Sequence, residues 1–131
     1  TRPRPNSNVA VFLGQGYPAS ISALTLYELK HGAALLKDKK RGKKLLAWVA
    51  SIRKTYEKQI LPITADIAES AAVLRAEASH KGRVLHIEDA IIAATAIEYD
   101  LILVTRNLSD FRVTGVTLCN PWEENEAPRY R

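Results

Sequence analysis

The stretch IEDAIIAATA, residues 87–96, opens on two adjacent carboxylates, Glu88 and Asp89, and then carries no charge from Ala90 to Ile97. Acids suit a helix N-terminus, where unbonded N–H groups and the macrodipole favour negative charge by roughly 0.3 to 1 kcal/mol. The residues behind them are uncharged around the whole helix circumference, which predicts a helix over about 88–99 packed on nearly every side. Its first turn then falls where the core opens to solvent. Asp89 is either a helix-dipole acid or part of a site, and the rest of the chain has to decide between them.

Downstream, LILVT at 101–105 is the aliphatic and β-branched run of a strand buried on both faces, and a last short strand is expected at about 116–119. Upstream, QILPI at 59–63 reads as a buried strand. Thr64 caps the helix that follows through Ser79, with Gly82 as its stop. ASISA at 19–23 reads as a short strand leading into TLYELKHGAALL, where Leu26, Leu29, Ala33 and Leu36 recur at helical spacing and Thr25 offers an N-cap. KDKKRGKK at 37–44 reads as a basic loop, before a helix from Lys44 to about Tyr56 with Leu45, Trp48, Val49 and Ile52 on one face. The opening TRPRPNSN suits an exposed loop and residues 123–131 a flexible tail. Strands alternating with helices predict an α/β fold, a three-layer sandwich with a mainly parallel central sheet, as a single domain over 1–131.

With 131 residues and 47% hydrophobic content, the chain can bury one real core. A net charge of +5 permits a polyanionic partner such as RNA without requiring one. The single cysteine, Cys119, excludes an intramolecular disulfide, and His31, His80 and His86 lack the partners of a zinc site, which suits a reducing cytoplasm. The longest uncharged apolar stretch is far short of the roughly 18 residues that cross a bilayer, so no membrane association is expected. The chain contains no methionine, so Thr1 is not expected to be its translational start.

In a parallel α/β sheet, ligands bind beyond the carboxyl ends of the strands. Glu28 lies one turn after ASISA; Asn107, Ser109 and Asp110 follow LILVT; Asp89 opens the helix packed beside it. Each has an ordinary alternative. Thr25 and Glu28 fit a T-x-x-E capping box, and Asp110 fits a turn. Gathered together, the carboxylates would repel and raise one another's pKa unless a cation neutralised them. A hard, oxygen-ligated cation such as Mg²⁺ or Mn²⁺ suits a site without His or Cys ligands.

The segments SALTLYELKHG, IEDAIIAATA and LILVTRNLSDF, in that order and spacing and followed by NPW, resemble the PIN-domain ribonucleases, in particular the toxins of VapBC-type toxin–antitoxin pairs. The resemblance covers most of the chain. It implies an acidic site that binds Mg²⁺ or Mn²⁺ and cleaves RNA, and an antitoxin whose C-terminal segment blocks that site. It assigns metal-ligand roles to Glu28 and Asp89, with Asp110 or Asn107 completing the catalytic set. Arg106 and the basic run containing Lys39, Lys40 and Arg41 are candidates to hold the RNA backbone, with a salt bridge near the acids equally open for Arg106 and a solvated loop for the run. The apolar faces around Leu26, Leu29, Trp48 and Val49, with the family pattern, suggest a homodimer.

An inactive PIN-like module that binds RNA or an antitoxin is the main alternative. A phosphoacceptor receiver is disfavoured because no strand ends in a lone Asp with a Lys after a later strand. The resemblance also implies a first hydrophobic strand ending in Asp-Thr-Asn, which the chain as given does not contain. Within roughly 20 residues upstream of Thr1, the encoding frame is therefore expected to carry an aliphatic run ending in Asp followed by Thr or Ser and Asn. Sequencing the encoding DNA checks this, and a frame without that Asp would favour the inactive module.

Overall fold

The computed structural model describes residues 9–15 and 18–120. The opening loop TRPRPNSN, the Pro and Trp of NPW and the 123–131 tail lie outside the described residues. The strands are β1 (Val11–Leu13), β2 (Ile21–Ser22), β3 (Ile60–Leu61), β4 (Ile102–Val104) and β5 (Leu118–Cys119). The helices are α1 (Ala23–Ala34), α2 (Lys39–Thr55), α3 (Ala65–His80), α4 (Ile87–Glu98) and α5 (Leu108–Phe111), with a 3₁₀ turn at Arg112–Thr114.

Helix α4 is the helix that IEDAIIAATA predicted. Ala90 and the run from Ile92 to Ala96 are buried. Ile92, Ala93 and Ala96 pack with Ala10, Phe12, Leu103 and Leu118 of the sheet strands and their flanks, while Ala90 and Ala94 pack with Ile67, Ala71 and Ala78 of α3. The one polar residue in the run, Thr95, donates its hydroxyl to the Ile91 carbonyl at 2.7 Å, so its burial leaves no unmet donor. Ile97 is the exception, being about half exposed.

Parallel pairs β2–β3 and β4–β5 flank β1, which pairs antiparallel with β4 and meets β2 through an antiparallel bridge between Phe12 and Ser20. The strand order is thus β3-β2-β1-β4-β5, with four strands sharing one direction and the middle one opposing them. The α/β class holds. Strand β1 is absent from the sequence reading, because Val9 to Leu13 is a short unbroken apolar run that periodicity cannot assign to strand or helix. Strand β1 nevertheless supplies Phe12, which is fully buried, and both of its edges are paired.

Helix starts divide into those the sequence located and those it did not. Thr64 caps α3 by accepting from the Ile67 N–H at 3.2 Å. Gly82, with φ of 73°, closes α3 while the Arg83 N–H bonds the Ala78 carbonyl, which is the Schellman arrangement. Helix α1, by contrast, starts at Ala23 and is capped by Ser22, whose hydroxyl accepts from Leu24 N–H at 3.0 Å. Ser22 is as good a cap as Thr25 and comes first, so Thr25 lies inside the helix and the T-x-x-E capping box does not form.

The basic loop is also corrected, because Lys39, Lys40 and Arg41 form the first turn of α2. Asp38 caps that turn by accepting from the Lys40 and Arg41 N–H groups at 3.0 and 3.2 Å. Gly42, the residue that made the run look like a loop, is buried in the α2 interior against the end of α1. Leu29 and Val49 are buried between α1 and α2 with Ala33 and Leu45, which removes them from any surface shared between two copies.

Cations in a first helical turn oppose the macrodipole, so α2 leans on its acidic cap. Replacing Asp38 by Ala is expected to destabilise the fold by about 1 to 2 kcal/mol in urea unfolding, and Asp38→Asn by less, since Asn still accepts the N–H bonds. An unchanged unfolding midpoint in Asp38→Ala would show that α2 does not need the cap.

Candidate functional site

A cavity of about 350 Å³ opens where α1, α4 and the segment after β4 meet. From α1 it is lined by Thr25, Glu28, Leu29 and Gly32, spaced so that they share one helical face. Helix α4 contributes Asp89 and Ile92; Thr105, Asn107 and Phe111 come from β4's end and α5, and Val9 and Ala10 precede β1. Two of the predicted acids, Glu28 and Asp89, are therefore brought to one cavity from positions 61 residues apart in sequence.

The position of Asp89 follows from α4. His86 precedes the helix and gives no side-chain cap, so the exposed N–H end is served by the acids Glu88 and Asp89. Glu28 lies one turn after the buried Thr25 on α1. It is exposed by surface, yet loss of hydration raises its carboxyl from 4.5 to about 7, with the negative charges of Glu88 and Asp89 adding to the effect. Loss of hydration also raises Asp89, reinforced by Asp110 and Glu88 and opposed by His86.

The other predicted residues divide. Asn107 lines the cavity, and its N–H donates to the Thr105 hydroxyl at 3.1 Å. Asp110 sits on α5 away from the lining and acts on Asp89 through its charge. Arg106 is exposed beside Asn107, and Lys39, Lys40 and Arg41 are exposed on α2, outside the lining. Among the described residues, no three of His, Cys, Asp and Glu come together closely enough to hold a metal ion. The expected set of Glu28, Asp89 and Asp110 is thus not gathered as a three-carboxylate cage.

Two lining residues escaped the sequence reading. Thr105 is buried, and Thr25, 3% exposed, has a hydroxyl with no hydrogen-bond partner. A buried hydroxyl left unbonded costs about 1 to 3 kcal/mol, so a polar group is called for beside it. The available signal was the position of Thr25 one turn before Glu28. The same spacing also fits a capping box.

Two carboxylates with neutral oxygen donors beside them are the ligand types a hard cation takes. Mg²⁺ commonly uses one or two carboxylates and keeps several waters, and here two crowded carboxylates share a cavity with Thr25, Thr105 and Asn107.

An α/β sheet that delivers acids from two helices to a cavity at its strand ends is the class of structure defined by these observations. The PIN domain profile matches residues 1–115, and the chain belongs to the PIN-domain family. It is 32% identical over 126 residues to Toxin FitB of Neisseria gonorrhoeae, covering 94% of this chain and 91% of that protein. It is 34% identical over 104 residues to VapC ribonuclease Y4jK of Sinorhizobium fredii, covering 79% and 74%. Among solved structures it is similar to FitAcB from Neisseria gonorrhoeae, with a TM-score of 0.72, 33% identity and coverage of 79% of this chain and 76% of that one. DNA-bound VapBC from Salmonella typhimurium gives 0.67 and 30%, covering 76% and 73%.

The raised carboxyl has a consequence for stability with a definite sign. Between 4.5 and about 7 the folded chain holds a proton on Glu28 that the unfolded chain has lost. Stability without metal should therefore fall as pH rises through this window, and Asp89 acts in the same direction. Thermal melts across that window should show the decline in the parent chain and a shallower one in Glu28→Gln. Parallel profiles would mean that Glu28 titrates as an ordinary surface acid.

Proposed function

We propose that the chain is a metal-dependent endoribonuclease toxin of the VapBC type, neutralised by a cognate antitoxin. The observation that carries this reading is the meeting of Glu28 and Asp89 in one cavity, both with raised carboxyl pKa values. Similarity to a protein named VapC ribonuclease and to toxin–antitoxin complexes supports it.

Glu28 and Asp89 would hold Mg²⁺ or Mn²⁺. When bound, that ion supplies an activated water and stabilises negative charge on the phosphoryl oxygens. Asp110 adds negative charge beside Asp89, and Asn107 presents a neutral donor and acceptor on the cavity wall. Arg106, next to Asn107, would meet an RNA phosphate. Lys39, Lys40 and Arg41 would hold the backbone farther from the cut, a contact that is salt-dependent and blind to sequence. The antitoxin would compete for the acidic cavity. A homodimer belongs to this reading too, through surface other than Leu29 and Val49.

The purified chain should cut labelled single-stranded RNA with Mg²⁺ or Mn²⁺ and stop with a chelator. Asp89→Asn should keep the circular dichroism spectrum and lose about a hundredfold or more in cleavage rate, exceeding what loss of an outer partner costs. Cleavage at the parental rate by Asp89→Asn would leave Asp89 as a helix-dipole acid only. Retention of RNA by a chain that never cuts it would favour the inactive binding module.

A further inference from the structure

The threonines of this fold show what a buried hydroxyl ordinarily does. Thr95 and Thr114 donate to carbonyls one turn back, Ile91 and Phe111. Thr64 and Thr105 accept backbone N–H groups from Ile67 and Asn107. Thr25 does neither, although it is buried, more deeply than Thr64 and Thr114. It lines the same cavity as Glu28 and Asp89, and α1 sets it one turn before Glu28 on the same face. Thr25, whose buried hydroxyl is unpartnered, thus lines one cavity with two acids from separate helices.

We infer that Thr25 is a positioning residue of the cation site, its hydroxyl hydrogen-bonding to a water of the bound ion's hydration shell. This rests on the cation reading of the site given above. The chemistry suits a hydroxyl: it donates one hydrogen bond and accepts others, so it can orient a water without adding charge to a crowded acidic cavity. An ion that keeps several of its waters needs such neutral partners as well as carboxylates. A carboxylate at this position would increase the repulsion between Glu28 and Asp89, and an aliphatic residue would leave the water unheld. The arrangement also gives a role to a buried hydroxyl to which the protein itself offers no bond.

The test is Mn²⁺ binding by calorimetry, with metal-free thermal stability measured on the same samples. Thr25→Val removes the hydroxyl at nearly constant shape. It is expected to melt at or above the parental temperature without metal, because an unmet polar group is lost, and to bind Mn²⁺ roughly tenfold more weakly, the scale of an outer-shell partner. Thr25→Ser should restore the affinity, and Thr25→Ala should repeat the weakening if the valine variant does not fold. Two results overturn the inference: parental Mn²⁺ affinity in Thr25→Val and Thr25→Ala, or a lower metal-free melting temperature in Thr25→Val that Thr25→Ser recovers, which would give the hydroxyl a partner within the protein. Glu28→Gln separates the two levels. If it binds Mn²⁺ as the parent does, the cation reading falls and takes this inference with it; if it binds weakly while Thr25→Val does not, only the role of Thr25 is lost.

Discussion

The fold depends on burying α4 on two sides at once, against the sheet through Ile92, Ala93 and Ala96 and against α3 through Ala90 and Ala94. Small side chains make this possible, because alanines let two neighbours approach one helix without opening voids. The same burial fixes the function of the helix's ends. The body from Ala90 to Ile97 is uncharged, and the acids Glu88 and Asp89 stand in the first turn, where Asp89 lines the cavity together with Ile92 further along. Asp89 is held in place because almost every residue behind it is packed.

Legibility in the sequence followed how local each signal is. Helix α3 was readable at both ends, since Thr64 and Gly82 act within a few residues of themselves. Helix α4 and strand β4 were readable from composition alone. Strand β1 was not, because its three residues carry no period and its place is set by pairing with β4 and β2, far along the chain or across a turn. The start of α2 was hidden by a cationic run with a glycine in it. That run is helical because Asp38 caps it and Gly42 packs against α1, and only the structure shows the second of these. The end of α4 carries a similar surprise: Asp100 adopts φ of 53°, a position usually given to glycine, and turns the chain into β4.

In the site, the acids were legible because strand ends are where sheets of this kind place ligands. Glu28 and Asp89 do line one cavity, while Asp110 reaches Asp89 only as charge. The hydroxyls were not legible. Thr25 had an ordinary explanation as a cap, and it took the Ser22 cap to remove that explanation and leave the hydroxyl without a role in the fold. Polar residues that serve a site are easily mistaken for local punctuation, since threonine does both jobs with the same atoms.

The distribution of charge carries the argument furthest. The chain holds 19 lysines and arginines against 14 acids, so counter-charge for two carboxylates is abundant in the sequence. Among the described residues, Glu28 is raised by the acids Glu88 and Asp89, and Asp89 is raised by Asp110 and Glu88 and lowered by His86. Three of the lysines and arginines, Lys39, Lys40 and Arg41, stand in the first turn of α2, where they oppose the helix dipole. Burial and the neighbouring acids leave Glu28 and Asp89 with raised pKa values. Under the proposed function that repulsion is what a cation relieves: proton and metal compete for the same oxygens, and metal binding gains the free energy that folding left unsatisfied.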